Sequence, residues 1–395
     1  MLKPGVNYHR KGFGLKDSIK DELKSEYESD LIAFIRQNDY QVKRGDLTVK
    51  LAEAFGFCWG VDRAVSMAYE TRKQFPDRRI WITNEIIHNP LVNDNLKKMD
   101  IKFVEVEPDG KKDFSEIGNG DVVILPAFGA SVEELELLTS RECEIVDTTC
   151  PWVSRVWNRV DKYKKSDFTA IIHGKYKHEE TIATSSRAQH YLIVQDLDEA
   201  NWVANYILNG GSSTEFLVKF KEAVSKDFDP AVHLLRLGVA NQTTMLKGET
   251  EKIGKLFEQT MMRKYGPSKF DEHFLSPGDT ICDATQERQD AMQKLILQDM
   301  DLVVVIGGYN SSNTGHLQEM AIAEGKSAYH IDGPDCIKDD NSITHKEVHG
   351  NEEKLTAPFL PKGPLTIGIT AGASTPDQVV AEVIEKIFSL RPDCE

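Results

Sequence analysis

The chain has 395 residues, enough for more than one domain and a sizeable core. Its 40% hydrophobic and 28% charged residues are those of a globular chain and not of a disordered one. A formal net charge of −15 argues against a nucleic-acid or anionic-membrane surface, and the longest aliphatic run, Leu302 to Ile306, is far short of the roughly 20 residues that span a bilayer.

Residues 1–46 carry acids such as Asp17, Asp21, Glu22, Glu26, Glu28 and Asp30, unlike an Arg- and Ser-rich transit leader, and read as a retained N-terminal helical extension. From residue 47 a three-part pattern begins. "LAEAFGFCWGVDRAVSMAYE" is an apolar stretch, then Cys58, then an amphipathic helix. "RRIWITNEIIHNP" is a strand running into a loop that bears His88, and "DVVILPAFGASVEEL" is a strand ending in small residues. The pattern restarts at "CEIVDTTCPWVSRVWNRVDKY" with Cys150, continues through "DFTAIIHGKYKHEE" with His178, Glu179 and Glu180, and closes at "HLLRLGVANQTTMLKG" with Thr243 and Thr244. A third round opens at "GDTICDATQERQDAMQKLILQDM" with Cys282, followed by "MDLVVVIGGYNSSNTG" and "LTIGITAGASTPDQV".

Strands alternating with helices imply mostly parallel α/β sheets, whose ligands bind beyond the carboxyl ends of the strands. The expected fold is α/β, with three similar lobes over 47–150, 151–281 and 282–395 arranged with pseudo-threefold symmetry. The middle lobe is the longest; its surplus is assigned to a surface excursion near 205–232, where Gly210, Gly211, Ser212 and Ser213 mark a turn.

Each of Cys58, Cys150 and Cys282 falls where a strand hands over to a helix, a position at which free backbone N–H groups and the helix dipole favour a thiolate. Three thiolates from separate lobes suit a four-iron four-sulfur cluster in which one iron lacks a protein ligand. Buried structural thiols are the ordinary alternative, and the triple recurrence outweighs it. Cys143, Cys336 and Cys394 lack that setting and are read as bystanders, and the absence of any Cys-x-x-Cys pair excludes a local zinc site. The "GGYNSSNTGH" loop offers Gly307 and Gly308 for close backbone approach and Ser311, Ser312 and Asn313 as donors to phosphate oxygens; Ser374 and Thr375 offer the same. His88 and His178 are candidates for charge-assisted phosphate contacts. Glu179 and Glu180 each offer a general acid or a plain helix-start carboxylate, and Thr243 and Thr244 each offer a hydroxyl donor or a helix cap.

The ordered motifs "FGFCWGVDRAV", "HNPLV", "DTTCPWV", "HEE", "QTT", "ATQERQDA", "NSSNT" and "TAGASTPD", spread from about Val49 to Leu390, resemble the 4-hydroxy-3-methylbut-2-enyl diphosphate reductase family. That resemblance implies one 4Fe–4S cluster on Cys58, Cys150 and Cys282 at the centre of a three-lobed protein. It implies a diphosphate held by His88, His178, Ser311, Ser312, Asn313 and Ser374, a catalytic carboxylate at Glu180 and not Glu179, and Thr243 beside the substrate hydroxyl, with His178 also in the catalytic group. The implied reaction is reductive dehydroxylation of an allylic diphosphate, the last step of the methylerythritol phosphate route to isoprenoids, with a ferredoxin-type electron donor and neither a nucleic acid nor a membrane as partner. One departure stands out: many bacterial members carry a second phosphate-binding His in the loop that here reads "PAFGAS", with Phe128. Phe128, the extension and the longer middle lobe resemble the cyanobacterial and plastid branch, and the acidic leader fits a cyanobacterial cytoplasm better than an unprocessed plastid precursor. Docking of an acidic donor on so acidic a chain calls for a local basic patch, for which Lys162, Lys164 and Lys165 are candidates. A non-catalytic iron-sulfur sensor and a Cys-His hydrolase with one essential thiol are the other classes weighed.

Overall fold

The computed structural model describes residues 7–107, 110–276, 280–348, 350 and 352–391, so Cys394 lies outside the described residues. The chain forms two compact units, one from Met1–Arg10 and Val104–Cys282 and the other from Lys11–Phe103 and Asp283–Glu395. Among the described residues no helix is long and apolar enough to cross a membrane.

In the first unit, strands Tyr8–His9, Glu144–Asp147 and Val122–Leu125 run parallel, Tyr8 opposite Ile145 and Val123 opposite Ile145 on the other side. A separate four-stranded parallel sheet has the order Phe274–Leu275, Leu237–Asn241, Thr169–His173, Tyr191–Val194. Thr169–His173 and Leu237–Asn241 are buried at every position, the signature of parallel strands covered on both faces. Helices Pro151–Lys165 and Lys247–Tyr265 cover this sheet; the first presents Val156, Val160 and Tyr163 at helical spacing, and the Tyr163 hydroxyl donates to the Val239 carbonyl at 2.7 Å.

The segment near 205–232 is largely exposed and carries a buried aromatic stripe. Helix Leu197–Asn209 stops at Gly210 (φ 75°), and helix Ser213–Lys219 follows with Ser212 as its N-cap. Phe216 and Phe220, four residues apart, are both 0% exposed and pack with Trp202, Tyr206 and Phe228. The charged residues of this segment are exposed while its aromatic stripe packs on the core of the unit.

The second unit is built on a seven-stranded sheet ordered Glu353–Thr356, Ile343–Lys346, Ser327–Ile331, Leu302–Ile306, Leu365–Ala371, Leu47–Leu51, Gln41–Arg44. Its four central strands are parallel and its outer pairings antiparallel. The strand preceding Cys58 therefore lies beside the last strand of the chain, Val49 opposite Ile367. A further parallel pair, Ile80–Ile82 and Ile101–Phe103, belongs to this unit. From the N-terminal extension come helices Lys16–Tyr27 and Asp30–Gln37, the second burying Ile32 and Ile35 in the main core.

Candidate functional site

All three expected cysteines directly precede a helix: Cys58 before Trp59–Gln74, Cys150 before Pro151–Lys165 and Cys282 before Asp283–Ile296. Cys58 Sγ accepts the Val61 N–H at 3.4 Å as an N-cap, and Pro151 supplies the first helical residue after Cys150, where its missing N–H costs nothing. Their thiols are half-buried and not disulfide-bonded. The bystanders differ. Burial pushes the Cys143 thiol up to about 11, and burial likewise raises that of Cys336, which contacts Tyr309 and Asp332.

One backbone bond recurs at each of the three. The Cys150 N–H donates to the Ala127 carbonyl of "PAFGAS" at 2.8 Å, the Cys282 N–H to Thr243 of "NQTTM" at 3.3 Å, and the Cys58 N–H to Ala373 of "TAGAST" at 3.1 Å. The third element of each sequence round thus supports the cysteine of the next round, and the last returns to the first.

In the first unit Glu180 is 3% exposed and both its oxygens are engaged by Thr243, whose N–H donates at 2.6 Å and whose hydroxyl donates at 3.0 Å. Through the Thr243 carbonyl this pair is joined to Cys282. Glu180 opens helix Glu179–Ser185, and Ala183 of that helix packs with Cys150, Val153 and Trp157. Glu179, by contrast, is only half-buried. His178 caps the same helix: its Nδ1 accepts the Glu180 N–H at 3.2 Å, so Nδ1 is the bare nitrogen and Nε2 carries the proton. In this arrangement Nε2 is the ring nitrogen left to face a ligand. Phe128 packs edge-on against it, centroids 6.1 Å apart, so the aromatic in place of the bacterial His orients His178. Gly129 follows with φ 86°, and a Cβ there would lie 2.3 Å from the Trp157 ring. Only glycine meets both conditions.

In the second unit His88 Nδ1 pairs with Glu85 Oε2 at 2.8 Å, and its carbonyl accepts the Ser374 hydroxyl at 3.1 Å. Gly308 lies against the same carbonyl, 2.4 Å from where a Cβ would be. Ser311 caps helix Ser312–Ala323, accepting the Thr314 N–H at 3.3 Å, and leaves its own hydroxyl proton to donate. Asn313, 2% exposed, accepts the Ala373 N–H at 3.0 Å through Oδ1. That fixes the amide so that Nδ2 is a buried donor with no acceptor among the described residues. Such a donor at the first turn of helix Ser312–Ala323 is the setting of an anion site. His88, Asn313, Ser374 and Cys58 are thereby linked through Ala373 and the His88 carbonyl.

Sequence reasoning missed two supports. Gln242, fully buried, accepts the Lys175 N–H and the Thr181 hydroxyl, each at 3.1 Å, and donates to Thr244 at 2.8 Å, locking the Glu180 helix to the Thr243 loop. Arg288 donates to the Gly56 carbonyl at 2.6 Å, two residues before Cys58. Gln242 is the first residue past strand Leu237–Asn241, in a run of polar residues that offers no local mark of its burial, and nothing local marked Arg288.

The LytB protein family pattern matches residues 49–388. The chain belongs to the LytB family. A LytB relative from Cyanothece sp., named 4-hydroxy-3-methylbut-2-enyl diphosphate reductase, is 62% identical over 390 residues, spanning 99% of this chain and 96% of its own. The protein of the same name from Gloeobacter violaceus is 60% identical, spanning 98% and 93%. Among solved structures, the E-1-hydroxy-2-methyl-but-2-enyl-4-diphosphate reductase of Plasmodium falciparum shares the fold, with a TM-score of 0.63 at 24% identity over 85% of this chain and 86% of that one. The LytB core leaves the first 48 residues outside its match, and the cyanobacterial relatives include them.

Proposed function

We propose that this LytB protein is the reductase that converts (E)-4-hydroxy-3-methylbut-2-enyl diphosphate to isopentenyl and dimethylallyl diphosphates. The balance is one C–O bond broken, two electrons and two protons consumed, and one water released. The observation that carries the reading is the buried Glu180 carboxyl, bound at two points by Thr243 and tied through it to Cys282. A dehydroxylase needs a proton donor for the leaving oxygen beside its redox centre, and this arrangement supplies one.

The donor set fits an iron-sulfur cluster: three thiols at helix starts, each with its backbone N–H bound to a neighbouring loop, against two whose burial disfavours the thiolate. Cys58, Cys150 and Cys282 would hold one 4Fe–4S cluster that leaves one iron without a protein ligand. When bound, it supplies single electrons at low potential and a Lewis-acidic site. The chain's own part is positioning and proton delivery. On protonation of Glu180 the 3.0 Å bond to Thr243 reverses: the carboxyl O–H donates to the Thr243 hydroxyl, which turns its own proton to the departing oxygen. Ser311, Ser312, the Asn313 amide, Ser374 and the two imidazoles bind the diphosphate, and Ser374 does so by turning its hydroxyl from the His88 carbonyl. His178 contributes Nε2–H while its Nδ1 holds the helix that carries Glu180.

A ferredoxin-type donor and a cytoplasmic setting belong to the same reading, which rests on the cyanobacterial relatives. Lys162, Lys164 and Lys165 are exposed, but they occupy the last turn of the helix that Cys150 opens, about 20 Å from it at 1.5 Å per residue. The test is an anaerobic assay of the reconstituted protein with the butenyl diphosphate and a chemical reductant. About four irons per chain and both five-carbon products are expected; an iron-free protein with full activity overturns the reading.

A further inference from the structure

Asp147 ends the strand Glu144–Asp147, three residues before Cys150, and is 1% exposed. One of its oxygens accepts the Thr149 N–H at 2.9 Å. The other accepts the Tyr8 hydroxyl at 2.6 Å and forms an ion pair with Arg10, 3.0 Å from its Nε. The rest of this turn is fixed from one side, by the Thr148 hydroxyl and N–H on the Leu125 carbonyl (2.6 and 3.2 Å) and the Cys150 N–H on Ala127. Thr149, immediately before the cysteine, is held by Asp147.

A buried carboxylate holds its place only when charge and hydrogen bonds compensate its desolvation. Here the two side chains that contact the carboxylate directly, Tyr8 and Arg10, come from the N-terminal extension, which the family match at 49–388 does not include, while Arg187 adds attraction from within the core. Their strand is two residues long and reaches its partner by parallel pairing, Tyr8 with Ile145 and His9 with Val146. Arg10 also donates to Ser154 at 2.9 Å, in the first turn of the helix that Cys150 opens. Burial and the Asp147 carboxylate hold the Tyr8 phenol above its ordinary range, so it remains a donor.

We propose that Tyr8 and Arg10 are positioning residues for Cys150, acting through Asp147 to fix the Asp-Thr-Thr-Cys turn in the shape that presents the thiolate. The proposal rests on the reading of Cys150 as a cluster ligand. The extension is on this account the outer brace of one ligand, added to a core that carries the ligands themselves.

The test uses the full chain, reconstituted anaerobically, and follows release of iron to a ferrous chelator. A Tyr8→Phe/Arg10→Met double variant is expected to release iron about tenfold faster than the parent, the size that losing a hydrogen bond to a charged group corresponds to. His9→Ala, which removes the His9–Glu144 contact (2.8 Å) from the same strand without touching Asp147, is expected to release iron at the parent rate, and Arg10→Lys to recover most of the loss. Release at the parent rate in the double variant overturns the proposal, as does equal acceleration by His9→Ala, which would mean general loosening of the strand. If the double variant does not fold, Tyr8→Phe alone decides, with about tenfold acceleration expected from the lost hydrogen bond to the carboxylate. Full iron in Cys150→Ser would sink the ligand reading itself, an outcome distinct from failure of the brace.

Discussion

Thr243 grips Glu180 at both carboxylate oxygens, by its N–H at 2.6 Å and its hydroxyl at 3.0 Å, although the two residues belong to different strand-end loops. The grip fixes the acid and places the Thr243 hydroxyl directly against it. Glu180→Gln keeps the size and the acceptor for the Thr243 N–H, makes the second contact one in which the amide donates to the Thr243 hydroxyl, and removes the acidic proton, so turnover should fall at least ~100-fold while iron content and diphosphate affinity stay at parent values. Thr243→Val should cost about tenfold, and Glu179→Gln close to nothing. Steady-state kinetics with a chemical reductant, paired with iron analysis, check all three; an unchanged rate in Glu180→Gln removes this residue from the chemistry.

The five described thiols should sort into two classes. Serine at position 58, 150 or 282 should each abolish stable iron binding and the brown colour of the anaerobic protein. Cys143→Ser and Cys336→Ser should leave the full iron complement, because burial raises both of those thiols away from the thiolate form. Visible absorbance and iron analysis on the same preparations decide. Loss of iron in only one of the three would favour a single reactive thiol over a cluster.

The Asn313 amide is aimed by its bond to Ala373 and has a buried donor to spare. Asn313→Asp replaces that donor with a negative charge facing an anion. KM for the diphosphate substrate should rise about 100-fold or more with a smaller change in kcat, since both ground and transition states lose the contact. Asn313→Ala should show a milder rise of about tenfold. Inhibition by inorganic diphosphate should weaken in parallel.

Gly129 stands under the Trp157 ring with φ 86°. Gly129→Ala should destabilise the apoprotein by about 2–4 kcal/mol, from the left-handed backbone and the overpacking together. Denaturant unfolding measures it. A loss below about 1 kcal/mol would mean that the backbone term acts alone and the ring moves freely aside.

His233 stacks on His190 at 3.7 Å, and its Nδ1 accepts the Asp229 N–H at 2.8 Å. Burial first and then His190 hold its imidazole below the ordinary 6.5, against the opposing pull of Asp229 and Asp167. A histidine depressed in the folded state takes up its proton more readily when unfolded. Its stabilising contribution is therefore present above the unfolded value of 6.5 and lost as pH falls through the lower folded value. Apoprotein melting temperatures taken from about pH 7.5 down to pH 5 should drop, and more shallowly in His233→Gln. Parallel curves would remove His233 from the acid response.

The local setting of the candidate site was legible because its chemistry is local. A cysteine just after an apolar stretch and just before a helical stripe must lie at a helix start, and the Gly-Ser-Asn loop after Leu302–Ile306 must lie at a strand's carboxyl end. The difference in setting between Glu180 and Glu179 is not local. Residue reading left both open and the family resemblance favoured Glu180; in the fold Thr243 holds the Glu180 carboxyl while Glu179 stays half-exposed. The burial of Phe216 and Phe220 had no mark in the string, where charged neighbours surround them, because the helix separates the two faces.

By itself, then, the sequence determined the α/β alternation, the threefold recurrence of Cys-bearing helix starts and the composition of the anion loops, since each follows from periodicity and short-range capping. Only the tertiary structure decided which loop supports which cysteine: "PAFGAS" holds Cys150, "NQTTM" holds Cys282 and "TAGAST" closes the series on Cys58. It also decided that Tyr8 and Arg10 brace Asp147. Parallel pairing joins strands distant in the chain and leaves no periodic trace at the partner, so a two-residue strand such as Tyr8–His9 acquires its meaning only where it docks.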